Sequence, residues 1–126
     1  MLERGRGHII LLTSDAGRRV FPGQTVYSAC KHFCEAFATG LRLELVGTGV
    51  RITCVEPGNV RSQGQHLAAQ RDAEAVRKYG EASDEDRAGW IEPETVADAV
   101  YFALSQPANV ALNQILLEPI NEPIPA

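Results

Sequence analysis

Tyr27 and Lys31 stand four residues apart in the run Tyr27-Ser28-Ala29-Cys30-Lys31, thirteen residues after Ser14 and ahead of Glu56-Pro57-Gly58. On a helix this spacing puts a phenol and an ammonium on one face, within reach of one substrate group. A fixed cation favours the phenolate over the phenol, which makes a group able to pass a proton to and from an oxygen. Carbonyl reduction and alcohol oxidation both require such a group. The spacing alone recurs by chance in ordinary chains, so its weight comes from what surrounds it.

The elements that must position these groups follow from the apolar pattern. His8-Ile9-Ile10-Leu11-Leu12-Thr13 lies between Gly7 and the polar Ser14-Asp15, which predicts a strand over residues 8–13 buried on both faces. Residues 15–25, with Gly17, Pro22 and Gly23, read as a loop. From about residue 26 the apolar residues take helical spacing. Cys30, Phe33, Cys34, Phe37, Leu41 and Leu45 form one stripe. Ala29, Ala36 and Gly40 give a second face, small enough for close packing against another helix. Gly47 and Gly49 should end this helix.

Residues 50–55 predict a second strand, stopped by Glu56-Pro57-Gly58-Asn59. The polar stretch 63–90 has helical character over residues 66–79 and a turn near 84–88, and its lone Trp90 reads as packing beneath a loop. Pro93 suits the first turn of a helix over residues 93–105, with Val96, Ala99, Val100, Ala103 and Leu104 as its apolar face. Residues 114–118 form a third short strand, and residues 119–126, with Pro119, Pro123 and Pro125, an extended tail. Strand, helix, strand, helical region, strand is an α/β alternation, which implies a parallel sheet with right-handed crossovers. Ligands bind such sheets at the carboxyl ends of the strands. Ser14 ends the first strand, Pro57 and Gly58 follow the second, and Tyr27 opens the intervening helix, so all three fall on that edge.

The bulk properties fit this picture. A chain of 126 residues that is 44% hydrophobic and 22% charged is globular in composition and suits a single domain. Its net charge of -4 gives no electrostatic reason to expect nucleic acid or an anionic membrane as partner. No apolar run approaches the ~20 residues needed to span a bilayer. Three cysteines and an N-terminus without the apolar core of a signal peptide point to a reducing cytoplasm.

Blander or competing readings are weaker. Cys30 and Cys34, with His32 or His66, do not make a quartet of zinc spacing, so no metal site is expected. Ser14 with His8 and Asp15 does not make a hydrolase, because Gly-x-Ser-x-Gly is absent and both partners flank one strand. The charges between Arg71 and Arg87 read as a solvated face.

Taken together, the residues from Gly7-His8-Ile9-Ile10 through Tyr27-x-x-x-Lys31 and Val55-Glu56-Pro57-Gly58 to the final strand closely resemble the C-terminal half of the short-chain dehydrogenase/reductase family. The resemblance implies a partial Rossmann-like, doubly wound sheet of about three strands. It implies that Tyr27 exchanges the proton with the substrate oxygen, that Lys31 favours the ionised phenol and holds the nicotinamide ribose, and that Ser14 orients a carbonyl or alcohol. It also implies that Pro57, Gly58 and Val60 line the nicotinamide of NAD or NADP. Ser62 stands where the family has a threonine on the cofactor, so a hydroxyl is kept. Residues 63–90 correspond to the variable substrate loop, and the ending from Gln106 to Pro119 resembles the branch that contains 3-hydroxy acid dehydrogenases.

The family's Gly-rich phosphate turn follows a strand and opens a helix. Gly5-x-Gly7 instead precedes a strand, and Gly47-x-Gly49 links a helix to one, so neither fits. The residue that separates NAD from NADP has no counterpart here either. The expectation is therefore half a dehydrogenase: a single incomplete domain over residues 1–126, from a truncated gene, a misplaced start codon or a fragment. Such a half exposes an apolar edge at residues 8–13 and the small-residue helix face. It is expected to form a homo-oligomer or to belong to a longer polypeptide. A catalytically incomplete module that only binds or assembles is the alternative.

Overall fold

The computed structural model describes residues 1–62, 74 and 89–122. Three strands, β1 (Gly7–Leu12), β2 (Val50–Pro57) and β3 (Gln114–Leu117), form one parallel sheet in the order β1-β2-β3. The register pairs Ile9 with Ile52 and Leu11 with Cys54 across β1 and β2, and Val55 with Ile115 across β2 and β3. A central strand must satisfy both its edges and both its faces, and residues 52–57 are accordingly buried throughout.

Helix α1 (Thr25–Glu44) crosses from β1 to β2, and α2 (Pro93–Ser105) precedes β3. Alternation along β2 sends Ile52 and Cys54 to the α1 face, where they meet Ala38 with Ile9, Leu11, Leu41 and Leu45 packed around them. Arg51 and Thr53 point to the other face. There the Arg51 guanidinium donates to the carbonyls of Gln106, Pro107 and Val110 at 2.8–3.1 Å, satisfying backbone acceptors left open after the end of α2. Pro93 does open α2, at its first position. Gly47, at φ 80°, takes the left-handed conformation that turns the chain out of α1 toward β2.

The predicted elements appear with small shifts. The first strand runs over residues 7–12 rather than 8–13, the second extends to Pro57, and the third ends at Leu117. Leu2–Arg4 and Asp15–Gly17 form 3-10 turns that apolar periodicity does not signal. One expectation is corrected. Of the stripe read on α1, Leu41 and Leu45 pack on the sheet, whereas Cys30, Phe33 (69% exposed) and Phe37 face outward. The inward positions instead include the small residues Ser28 and Ala38, both fully buried, together with Glu35 and Arg42, which reach Gln114 Nε2 and Cys54 Sγ respectively. The predicted helix at residues 66–79, the turn at 84–88, most of the substrate loop and the tip of the tail lie outside the described residues.

Candidate functional site at the carboxyl edge of the sheet

β1 delivers Ser14 to the carboxyl edge of the sheet, and the chain is pinned there by Thr13, whose backbone N–H donates to Val55 O at 2.8 Å. Ser14 then caps the 3-10 turn Asp15–Gly17. Its Oγ accepts from Ala16 N at 3.2 Å and donates to Asp15 Oδ1 at 2.9 Å. Ser14, Asp15 and Ala16 are all buried.

Tyr27 lies in the first turn of α1, because residues 18–24 return the chain across the edge before Thr25 begins the helix. Tyr27 is 47% exposed. Lys31 follows one turn later, with its ammonium 5.5 Å from the Tyr27 ring centroid. The same Nζ donates to Leu12 O at 3.4 Å, which ties α1 to the end of β1. One long contact leaves the ammonium with further N–H donors. Phenol, ammonium and the end of β1 are thus gathered. Ser14 and Tyr27 do not hydrogen-bond one another among the described residues; the Ser14 proton is committed to Asp15.

Pro57 closes β2, and Gly58 N donates to Leu117 O at 2.7 Å, so the chain leaves the sheet beside β3. Val60 forms a parallel bridge with Ile91, flanked by Arg61 N to Ile91 O at 2.9 Å and Ile91 N to Asn59 O at 3.1 Å. Ser62 is exposed and its N–H turns back onto Val60 O at 2.8 Å.

Three pairings at this edge were not expected. Glu56 is 0% exposed, and both its oxygens accept from the Arg18 guanidinium, through Nε and, at 3.1 Å, Nη2. That bond to Glu56 holds the guanidinium even above its usual basicity. Arg19 pairs with Glu118 at 2.6 Å. Glu122 accepts from Asn59 through both oxygens. One signal was available: a carboxylate at the end of a strand otherwise buried has to find a cation.

Deeper under α1, burial pushes the Cys54 thiol up to about 12, with Glu35 adding to the effect. Cys30 is exposed and Cys34 half-buried, and among the described residues no group of three or more potential ligands could hold a metal ion. A concavity of about 490 Å³, lined in part by Arg42, Val46, Gly49, Val50 and Asn113, opens near the start of β2 rather than at the edge that holds Ser14.

The donor set fits one end of a nicotinamide dinucleotide. An ammonium with spare donors and a phenol on one helix face suit a ribose diol, and the bend after Pro57 is a backbone wall that a planar ring could approach. The positive-φ glycines Gly5, Gly23, Gly47 and Gly49 do not form a phosphate-cradling turn at the start of a helix, so the fit extends no further than the nicotinamide end among the described residues.

Comparison with known proteins agrees with this architecture. The family described as short chain dehydrogenase matches residues 1–73. A glycine betaine reductase of Emericella nidulans is 52% identical over 124 residues, covering 98% of this chain and 9% of that protein. An NADP-dependent 3-hydroxy acid dehydrogenase of Salmonella typhimurium is 36% identical over 97% of this chain and 48% of its own length. Among solved structures, the closed form of a serine dehydrogenase complexed with NADP+ superposes with a TM-score of 0.79 at 32% identity, covering 100% of this chain and 49% of that one. The chain thus spans about half the length of the 3-hydroxy acid dehydrogenases it matches, and a small part of the reductase. With more than half of its residues matched by the family and its fold shared with that family's solved members, the chain belongs to the short chain dehydrogenases.

Proposed function

We propose that this chain carries the catalytic half of an NAD(P)-dependent oxidoreductase that interconverts a carbonyl and a secondary alcohol. The observation that carries the reading is the placement of the Lys31 ammonium against the Tyr27 ring at the carboxyl edge of a parallel sheet. Tyr27 is the proton-exchanging group, giving its hydroxyl proton to the developing alkoxide in reduction and taking one from the alcohol in oxidation. Lys31 stabilises the phenolate that remains and offers its spare N–H donors to the nicotinamide ribose. Ser14 orients the substrate oxygen. With its proton on Asp15 and one lone pair on Ala16 N, its Oγ is set to accept, which suits the hydroxyl of an alcohol. Pro57, Gly58 and Val60 line the nicotinamide and Ser62 supplies a hydroxyl to the cofactor. The bound nicotinamide supplies the hydride chemistry.

The NADP named for the dehydrogenase relative and for the complexed serine dehydrogenase supports a nicotinamide dinucleotide here, with a small carbonyl or alcohol as substrate. Residues 1–126 are read as one incomplete cofactor-binding domain, with residues 63–90 as its substrate loop. The test is calorimetric titration of this chain with NADPH and NADH. Saturable heat is the expected result, with Lys31→Met weakening it. No heat at millimolar cofactor would leave an assembly or binding module as the better reading of this chain.

A further inference from the structure

Glu122 returns from the chain beyond β3 to a residue 63 positions earlier. Its Oε2 accepts from the Asn59 backbone N–H at 3.1 Å and its Oε1 from the Asn59 side-chain amide at 2.6 Å. Asn59 thus presents two donors side by side, and a carboxylate is the side chain that answers both with acceptor oxygens. The same Oε2 lies 3.0 Å from where a Cβ on residue 58 would sit, so the side chain packs directly over Gly58. On its other side the segment is held by the bridge from Val60 to Ile91. The bend between Pro57 and Ser62 is therefore held at Gly58 by Leu117 O, at Asn59 by Glu122 and at Val60 by Ile91, and Glu122 supplies the side-chain hold on Asn59.

This grip has an electrostatic cost. Asp15 and Glu118 face Glu122 from the turn after β1 and from the end of β3, and Arg19 is the cation opposite them among the described residues. Burial and those two carboxylates push the Glu122 carboxyl above its ordinary range, while Asn59 and Arg19 oppose the shift. A glutamine would relieve the repulsion and keep the packing over Gly58. It would answer only one of the two Asn59 donors and turn an amide N–H against the other. A carboxyl stands where an amide would bring no repulsion, and what its two acceptor oxygens secure is the orientation of the segment between Pro57 and Ser62.

We propose that Glu122 is a positioning residue for the cofactor: its bidentate hold on Asn59 fixes the bend that presents Gly58, Val60 and Ser62 to the nicotinamide. This rests on the cofactor site proposed above, and the experiment separates the two. Amide hydrogen exchange at Asn59 and Arg61 and calorimetric titration with NADPH are measured on the full chain and on Glu122→Gln and Asn59→Ala. Both variants should speed exchange at these amides by about tenfold, the ratio one lost charge-assisted hydrogen bond corresponds to, with β1 and β2 unchanged. Both should weaken NADPH binding by a similar factor. Unchanged exchange at Asn59 in Glu122→Gln overturns the grip itself. Faster exchange with undiminished NADPH affinity overturns the positioning role and leaves a purely structural contact. Asn59→Ala keeps the backbone donor, so it decides the matter if the glutamine variant does not fold. A wild-type chain that binds no NADPH overturns the cofactor site and the positioning role with it, whereas the exchange result still reports on the grip.

Discussion

Replacing Arg18 with methionine would leave the Glu56 carboxylate without its cation in a position that is 0% exposed. Two effects compete. Breaking a buried ion pair by removing one partner typically costs about 3–5 kcal/mol, because the remaining charge is desolvated and unpaired. The Arg18 side chain is 39% exposed, however, so water enters the space it vacates and repays part of that cost. The expected loss is about 2–3 kcal/mol, a large share of the ~5–15 kcal/mol that holds a domain of this kind together. With a urea slope of about 1.5 kcal/mol/M, the unfolding midpoint should fall by roughly 1.3–2 M at neutral pH. Equilibrium urea unfolding followed by circular dichroism reads this directly. One control fixes the cause. Arg18→Met combined with Glu56→Leu should recover most of the loss, because apolar replacement of a buried pair is often neutral or better. A single variant within about 0.5 kcal/mol of wild type at neutral pH, or a double variant no better than the single, would refute the account of this pair.

Four further outcomes are expected. Gly17→Ala places a Cβ 3.0 Å from Glu35 Cγ and 3.1 Å from Lys31 O, so it should cost about 1–3 kcal/mol in urea unfolding and weaken NADPH binding by displacing Lys31. At pH 7.5 iodoacetamide should label exposed Cys30 in native protein while Cys54, buried and pushed up to about 12, reacts only on unfolding; mass mapping of the labelled peptides distinguishes them. The Glu122 carboxyl is raised in the folded state, so the unfolded chain loses that proton first and stability falls as pH climbs from the ordinary carboxylate range through the raised one. Glu122→Gln should therefore show a flatter stability–pH curve over that window, and an unchanged curve would count against the assigned electrostatics. Val26, Phe33 and Phe37 expose an apolar face on α1, and sedimentation velocity should show self-association that Phe33→Glu weakens; a compact monomer at high concentration would contradict this.

Much of this fold can be read from residue spacing, and the failures have one physical source. Pro93 marks the start of α2 because a proline is tolerated in the first turn of a helix but not in its interior. The apolar run before Ser14 marks β1, although that strand is half-buried with Leu12 exposed rather than buried on both faces as its composition suggested. Periodicity on α1 shows that the helix has an apolar side without showing what covers it. The sheet takes Ala38, Leu41 and Leu45 together with polar Ser28 and Arg42, leaving Phe33 and Phe37 outside. Glu56 reads locally as punctuation before Pro57 and becomes a buried ion only once Arg18, 38 residues earlier, folds onto it. The segment after β3 reads as an extended tail, yet Glu122 comes back to Asn59. Local pattern constrains elements, whereas each of these pairings depends on closure between distant segments, which short spacings do not encode. The Tyr27 and Lys31 spacing was legible for the opposite reason: both partners sit on one helix turn.

That pair also shows what the proposed chemistry still requires. Lys31 Nζ lies 5.5 Å from the Tyr27 ring centroid, and two unit charges at ~6 Å interact by about 0.7 kcal/mol in bulk water and about 2.8 kcal/mol at an effective dielectric of 20. Tyr27 is 47% exposed, so in the chain as it stands the smaller figure governs. The larger one is reached only when the rim is dried by cofactor, by substrate and by whatever polypeptide covers α1 and the open side of β1. Relatives about twice as long as this chain have the material for such cover. Ser14, Lys31 and Asn59 are already anchored, to Asp15, Leu12 and Glu122 respectively. These groups are thus held by the chain itself, while the electrostatic strength of the proposed site depends on what excludes water from Tyr27. A chain that binds NADPH yet turns over slowly, and speeds up when a covering partner is supplied, is what this division of labour demands.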